Sequence, residues 1–94
     1  VFNSPNPFNP SLNITTNIRY VLTQNASEGI IVIMDSGGEV VFHRTLESDD
    51  LNIGVHEIAW DGTNLYNYQL ASGVYFGYVK IADSFKRIKI LLLN

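Results

Sequence analysis

Apolar and polar residues alternate with period two along most of this chain, and clusters of Gly, Asn, Asp or Pro break the alternation about every 8 to 12 residues. No stretch of about eleven residues carries a helical period, so the pattern specifies short strands. From Ile14 to Leu22, residues Ile14, Ile18, Tyr20 and Leu22 share one face, and Thr15, Asn17 and Arg19 share the other. That is an antiparallel strand buried on one side. Gly29 to Asp35 is denser, apolar from Ile30 through Met34, and reads as a central strand covered on both sides. Asp35-Ser36-Gly37-Gly38 supplies the positive φ of a tight hairpin, and Val40 to Leu46 returns as the partner strand.

The polar stretch Glu47 to Asn52 crosses over to Val55–Trp60, where His56, Ile58 and Trp60 point one way and Glu57 and Ala59 the other. Asp61-Gly62-Thr63-Asn64 reads as a turn, followed by a loop through Tyr68. On Val74–Ile81, residues Tyr75, Gly77, Val79 and Ile81 share a face. After a turn at Asp83-Ser84, Lys86 to Leu93 places Ile88, Ile90 and Leu92 on one side. Val1 to Pro10 stands apart: Pro5, Pro7 and Pro10 keep it extended and remove three donors from any ladder. It is expected along a sheet edge, with Phe8 inserted beneath the layers and the edge shielded. With this segment the count is about seven strands, an all-β, immunoglobulin-like sandwich of two sheets in which Phe8, Tyr20 and Trp60 anchor the core.

Ninety-four residues suit one domain, residues 1–94. There is no Cys, so the 46% hydrophobic content must stabilise the fold without disulfides. The net charge of −3 argues against a nucleic-acid partner, which needs a concentrated basic surface. The one basic cluster, Lys86, Arg87 and Lys89, reads as a solvated strand face. No apolar run approaches the roughly 18 residues of a membrane span. The chain opens on Val1 without a leader and is expected to be a processed or trimmed product. Asn13-Ile14-Thr15 and Asn25-Ala26-Ser27 fit the glycosylation acceptor pattern, relevant only in a eukaryotic secretory pathway.

Residue chemistry assigns no catalytic group, metal or cofactor. His56-Glu57 opens a zinc-protease motif, but Trp60 occupies the position of the second His and the segment is a strand, so His56 reads as packed beside Ile58 and Trp60. His43 reads as a surface residue. No Ser lies in a Gly-x-Ser-x-Gly elbow, and no Gly-rich loop precedes Lys-Ser or Lys-Thr. Asp49-Asp50 reads as solvated loop charge. Asp61 with Asn64, or Asp35 with Glu39, offers hard oxygen ligands for calcium, although Asp before Gly is also ordinary turn chemistry. The alternating Val74, Phe76 and Tyr78, with Tyr66 and Tyr68 in the loop before them, form either an interaction face for sugars or proteins or a surface covered by other parts of the molecule.

Several motifs, taken in order, resemble a known family. Ser4-Pro5-Asn6-Pro7-Phe8-Asn9-Pro10 followed by Ile18-Arg19-Tyr20 and Leu22 resembles the opening of C-terminal modules on exported bacterial proteins. Met34-Asp35 with Gly38 and Val41, Gly54 and His56 with Trp60-Asp61-Gly62, Ala71-Ser72-Gly73-Val74-Tyr75-Phe76, and the closing Lys86-Arg87-Ile88-Lys89-Ile90-Leu91-Leu92 continue the likeness. Met34 stands where that family usually has Tyr, and Gly77 where a second aromatic is common. Two related groups share these motifs: the type A C-terminal sorting domains of the type IX secretion system, placed first, and Ig-like domains similar to that of the flagellar hook-capping protein, placed second because they lack the Pro-Asn-Pro opening as a regular feature.

The resemblance implies a non-catalytic module at the C-terminus of a larger exported protein. Such a module passes through the periplasm to be secreted or held at the cell surface, and outer-membrane export machinery recognises it. Pro5, Pro7, Gly73, Tyr75, Lys86 and Lys89 would carry recognition by this likeness; each also has a structural role open to it, a turn for Gly73, a core place for Tyr75 and edge stiffening for the two Pro. The alternative is a spacer or interaction module that packs on an adjacent domain of the parent protein or self-associates, with carbohydrate or calcium binding as a lesser one.

Overall fold

The computed structural model describes residues 1–12 and 14–94, so the acceptor Asn13 lies outside the described residues. Among the described residues the alternation becomes seven strands: β1 (Phe2–Ser4), β2 (Thr16–Leu22), β3 (Gly29–Asp35), β4 (Val40–Thr45), β5 (Gly54–Trp60), β6 (Gly73–Ile81) and β7 (Ser84–Leu92). They pair antiparallel in two sheets, β1-β2-β5 and β4-β3-β6-β7. Alternate residues of both sheets meet in one core, where Ile18, Ile31, Ile33, Ile90 and Leu92 are fully buried. This is the immunoglobulin-like sandwich that period-two burial demands.

Two strand expectations need correction. β2 begins at Thr16 rather than Ile14, because Pro10–Leu12 forms a short 3-10 turn and Thr16, opposite Trp60, is the first residue with a ladder partner. β3 is central in its sheet but covered on one side only. Ile31 and Ile33 enter the core, whereas Ile30, Val32 and Met34 lie on an outer face partly open to solvent. An apolar run shows what a strand can bury, and a two-layer sandwich leaves the outer face of each sheet without a covering layer. Between Ile33 and Met34 the register slips by one residue, so Val41 is buried and Phe42 also packs on the core.

The Pro-rich segment joins both sheets. β1 pairs with β2, and the chain then crosses to the edge of β7, where the Phe8 amide donates to the Leu91 carbonyl (3.0 Å) and the Leu93 amide to the Phe8 carbonyl (2.9 Å). Between Pro5 and Pro7, which have no amide hydrogen to offer, the Asn6 side chain stands in for a peptide group. Its amide donates to the Lys89 carbonyl (2.9 Å) and its oxygen accepts from the Leu91 amide (2.9 Å). The edge of β7 is thereby closed along Lys89–Leu93.

A buried polar network fixes the start of this strap. The Asn3 amide donates to the Thr16 hydroxyl oxygen (2.9 Å), which itself donates to the Pro5 carbonyl (2.8 Å), and the Asn6 amide reaches the Asn3 side-chain oxygen (3.2 Å). Thr16→Val keeps the shape and removes the hydroxyl, leaving the buried Asn3 amide and the partly buried Pro5 carbonyl without this partner. The expected loss is about 1–3 kcal/mol, read as a lower urea midpoint with an unchanged slope; a loss below about 0.5 kcal/mol would mean that water replaces the hydroxyl.

Trp60 is 1% exposed at the centre of the core, with the rings of Phe8 and Tyr75 each 5.6 Å from its own. Its indole N–H donates to the Thr63 carbonyl (3.0 Å), so burial costs no unsatisfied donor. Gly62 follows at φ +81, beneath Pro10 and Leu92.

Candidate functional site

The turn carboxylates are committed to their own backbone. Asp35 Oδ1 accepts from the amides of Gly37 and Glu39, both at 2.9 Å, and Asp61 Oδ1 accepts from the Thr63 amide and hydroxyl. Asn64 Oδ1 accepts from the amides of Tyr66 and Tyr68. These are the short-range bonds that make Asp and Asn turn residues. Among the described residues, no group of three or more His, Asp or Glu is arranged to hold a metal ion.

Asp50 departs from the reading as solvated charge. It closes a capping box around the 3-10 turn Ser48–Asp50, accepting from the Glu47 amide (3.0 Å), and lies 3.3 Å from the Arg44 guanidinium. Its carbonyl accepts from the Tyr20 hydroxyl (2.8 Å). Tyr20 stacks on His56 at 5.2 Å, and His56 Nε2 donates to the Asn52 carbonyl (2.7 Å). The His therefore packs on Tyr20 across the β2–β5 pair, where its register partner sits.

Burial first, then the Asp50 carboxylate, pushes the Tyr20 phenol from 10.0 up to about 12, while Arg44 pulls the other way. Burial, with Asp35 second, also raises Tyr75. A folded value above the unfolded one means that this contribution is whole below pH about 10 and is lost as pH rises from about 10 toward 12, where only the unfolded phenol ionises freely. Tyr20→Phe is expected to flatten the fall in stability over that window, with Tyr75 supplying what remains. Denaturant midpoints measured from pH 9 to 12 check this, and parallel curves for both proteins would refute it.

The residues that the resemblance marks for recognition do not converge on one site. Pro5 and Pro7 flank Asn6 on the strap beside Lys89. Tyr75 lies in the core, its hydroxyl donating to the Ala71 carbonyl (2.7 Å). Gly73 is exposed, and nothing stands within 4 Å of where a Cβ would be. Gly77, at the family's aromatic position, faces inward, with Ile88 and Ile90 filling the space. The basic cluster is split by strand parity. Lys86 pairs with buried Val79 on the inner side of β7, at the open mouth of the sandwich, whereas Arg87 and Lys89 point outward opposite Tyr78 and Phe76.

Lys86 lines a groove of about 350 Å³ with Phe2, Val21, Leu22, Ala26 and Val79; a second, of about 340 Å³, lies beside it around Gly29, Leu46, Lys80 and Ala82. Phe76 and Tyr78 are half-buried on the outer face of the four-stranded sheet. Tyr66 and Tyr68, 78% and 71% exposed, project from the preceding loop. Sequence reasoning missed the outward grouping of Lys80, Arg87 and Lys89; parity along β7 signals part of it, but placing Lys80 beside them requires the β6–β7 register.

The fold defines an immunoglobulin-like β-sandwich. Residues 12–84 match the FlgD Ig-like domain family, and the chain belongs to that family. This is the group placed second on sequence, and the match leaves out the Pro-rich opening, the segment that favoured the sorting group, and most of the last strand. No curated protein matches the chain. Among solved structures, the chain is similar to PorZ, an essential bacterial surface component of the type IX secretion system of Porphyromonas gingivalis (TM-score 0.69, 20% identity), over 98% of this chain and 11% of PorZ. It is also similar to FlgD from P. aeruginosa (TM-score 0.63, 19% identity), over 84% of this chain and 58% of that one. The chain thus spans about a tenth of PorZ and somewhat over half of FlgD. No helix of the described residues is long and apolar enough to cross a membrane.

Proposed function

We propose that this domain is a non-catalytic C-terminal module that sorts an exported bacterial protein through the type IX secretion system and attaches it at the cell surface. The supporting observation is that nearly the whole chain superposes on part of PorZ, a surface component of that system. The Pro-rich opening that resembles sorting domains adds to this: it is built into the fold, bonded to β7 through Asn6 and Phe8. The buried polar groups serve turns and core packing, which suits a module whose partners meet its surface.

A reporter carrying residues 1–94 at its C-terminus, expressed in a type IX-competent bacterium, tests the reading. Export is expected with the domain and periplasmic retention without it. Deleting Lys86–Asn94 removes β7 and is expected to abolish export, but it also unfolds the sandwich. Gly73→Ala and Lys86→Ala separate recognition from folding, because neither side chain position is packed in the core. Export lost in either variant with an unchanged melting temperature supports recognition at that residue. Retention of the folded, unaltered fusion in the periplasm would refute sorting.

The family match favours a second reading, an Ig-like spacer or interaction module within a larger assembly. It predicts that export of the fused reporter is indifferent to the domain.

A further inference from the structure

The register of the four-stranded sheet builds a surface that no single strand reveals. On its outer face Tyr78 stands opposite Arg87, Phe76 opposite Lys89, and Lys80 opposite Phe85. The Arg87 guanidinium lies 5.3 Å from the centre of the Phe76 ring, and the rings of Tyr78 and Phe85 are 5.6 Å apart. Cations and aromatics therefore interleave across two strands, and Ile30, Val32 and Met34 of β3 continue the apolar bed beside them. Phe85 is 59% exposed and Lys80, Arg87 and Lys89 are open to solvent.

Charge is segregated on the same face. The chain has six Lys and Arg and nine Asp and Glu. Three of those cations stand here, and none of the outward positions of β3, β4, β6 and β7 is acidic. A chain of net charge −3 thus presents a face of +3. None of the three cations forms an ion pair; among the described residues the pair is Arg44 with Asp50.

We propose that this face docks an acidic surface of another protein, one presenting carboxylates at alternate positions of a strand over apolar side chains. Arg87 and Lys89 are two residues apart on an extended strand, so their spacing of roughly 6.8 Å equals that of same-face side chains on a partner strand. Carboxylates at that spacing give charge-assisted pairs to both, while Phe76, Tyr78 and Phe85 supply the apolar contact that interfaces favour. A second copy does not fit face to face, because two such faces set against each other bring like charges together without a carboxylate between them. A polynucleotide also fits poorly. A polynucleotide strand runs on past the face to the remainder of the domain, where nine carboxylates outnumber three cations, whereas an acidic protein patch meets only charges within a screening length of about 8–10 Å.

The 94-residue chain, isotope-labelled, is titrated by NMR with a synthetic β-hairpin that alternates Glu and Val on one face. The same hairpin with every Glu replaced by Gln, phosphatidylglycerol vesicles and a single-stranded oligonucleotide are titrated alongside. Saturable shifts confined to Phe76, Tyr78, Lys80, Arg87 and Lys89 and their neighbours are expected with the Glu hairpin. Affinity is expected to fall about tenfold or more with the Gln hairpin and in the Arg87→Gln/Lys89→Gln variant, whose side chains are exposed and whose unperturbed spectrum verifies its fold. Shifts elsewhere or none, equal binding of the Gln hairpin, or tighter binding of vesicles or oligonucleotide would overturn the proposal. Export plays no part in the titration, so this surface and the sorting role stand or fall separately.

Discussion

Replacing Phe8 with Ala is expected to destabilise the domain by about 3–5 kcal/mol, a large share of the roughly 5–15 kcal/mol that holds a small domain folded. The ring is 2% exposed and 5.6 Å from that of Trp60, so its removal leaves a cavity in the core. The loss extends beyond the cavity. Phe8 also seats the backbone that bonds to Leu91 and Leu93, so a loosened residue 8 frees the strap from β7. Denaturant unfolding gives the total, and hydrogen exchange at the Leu91 and Leu93 amides reports the strap: both amides should exchange faster by more than the global change requires. A loss under about 1 kcal/mol would reduce the Pro-rich segment to a passive tail.

Gly62→Ala should cost about 2–4 kcal/mol through two independent effects. The residue sits at φ +81, where an L side chain is strained. A Cβ there would also meet Pro10 Cγ at 2.9 Å and Leu92 Cδ1 at 3.0 Å, both held by the strap and β7. For a domain of this size each kcal/mol shifts the melting temperature by about 4–8 °C. Gly73→Ala is the internal comparison: its Cβ meets nothing and its φ lies outside the left-handed region, so its melting temperature should match the parent's within about a degree. Similar losses at both glycines would show that backbone freedom, not the crowding beneath Pro10, sets the cost.

The inner faces of the strands were legible because a two-layer sandwich buries alternate residues. Tyr75, Val79 and Ile81 on β6, and Ile90 and Leu92 on β7, sit inward as their parity requires. The turn at Asp35–Gly38 was legible for an equally local reason, since a carboxylate that caps amides two and four residues on needs nothing distant. What sequence did not reveal depends on partners far along the chain. Alternation begins at Ile14, ahead of the first paired residue of β2, because pairing starts at Thr16 opposite Trp60, where β5 ends. The apolar run of β3 is the same whether one face is covered or two. Asp50 looks solvated until the crossover brings Arg44 and Tyr20 beside it. Lys86, Arg87 and Lys89 form one cluster in sequence and two surfaces in space, a split that strand parity contains. Membership of the FlgD Ig-like family rests on residues 12–84, whereas the Pro-Asn-Pro motif that favoured sorting lies before them.

Asn6 and Phe8 are bonded to residues 89 to 93, among the longest sequence separations in the domain. During translation the strap leaves the ribosome ahead of the domain's other strands and waits, for its partner strand emerges more than eighty residues later, and until then Phe8 and Trp60 share no finished core. A chain interrupted before Leu91 lacks the bonds that seat Phe8 beside Trp60 and leaves apolar surface incompletely covered, a signal that proteases and chaperones act on. Native-like burial thus certifies that β7 has been made in full.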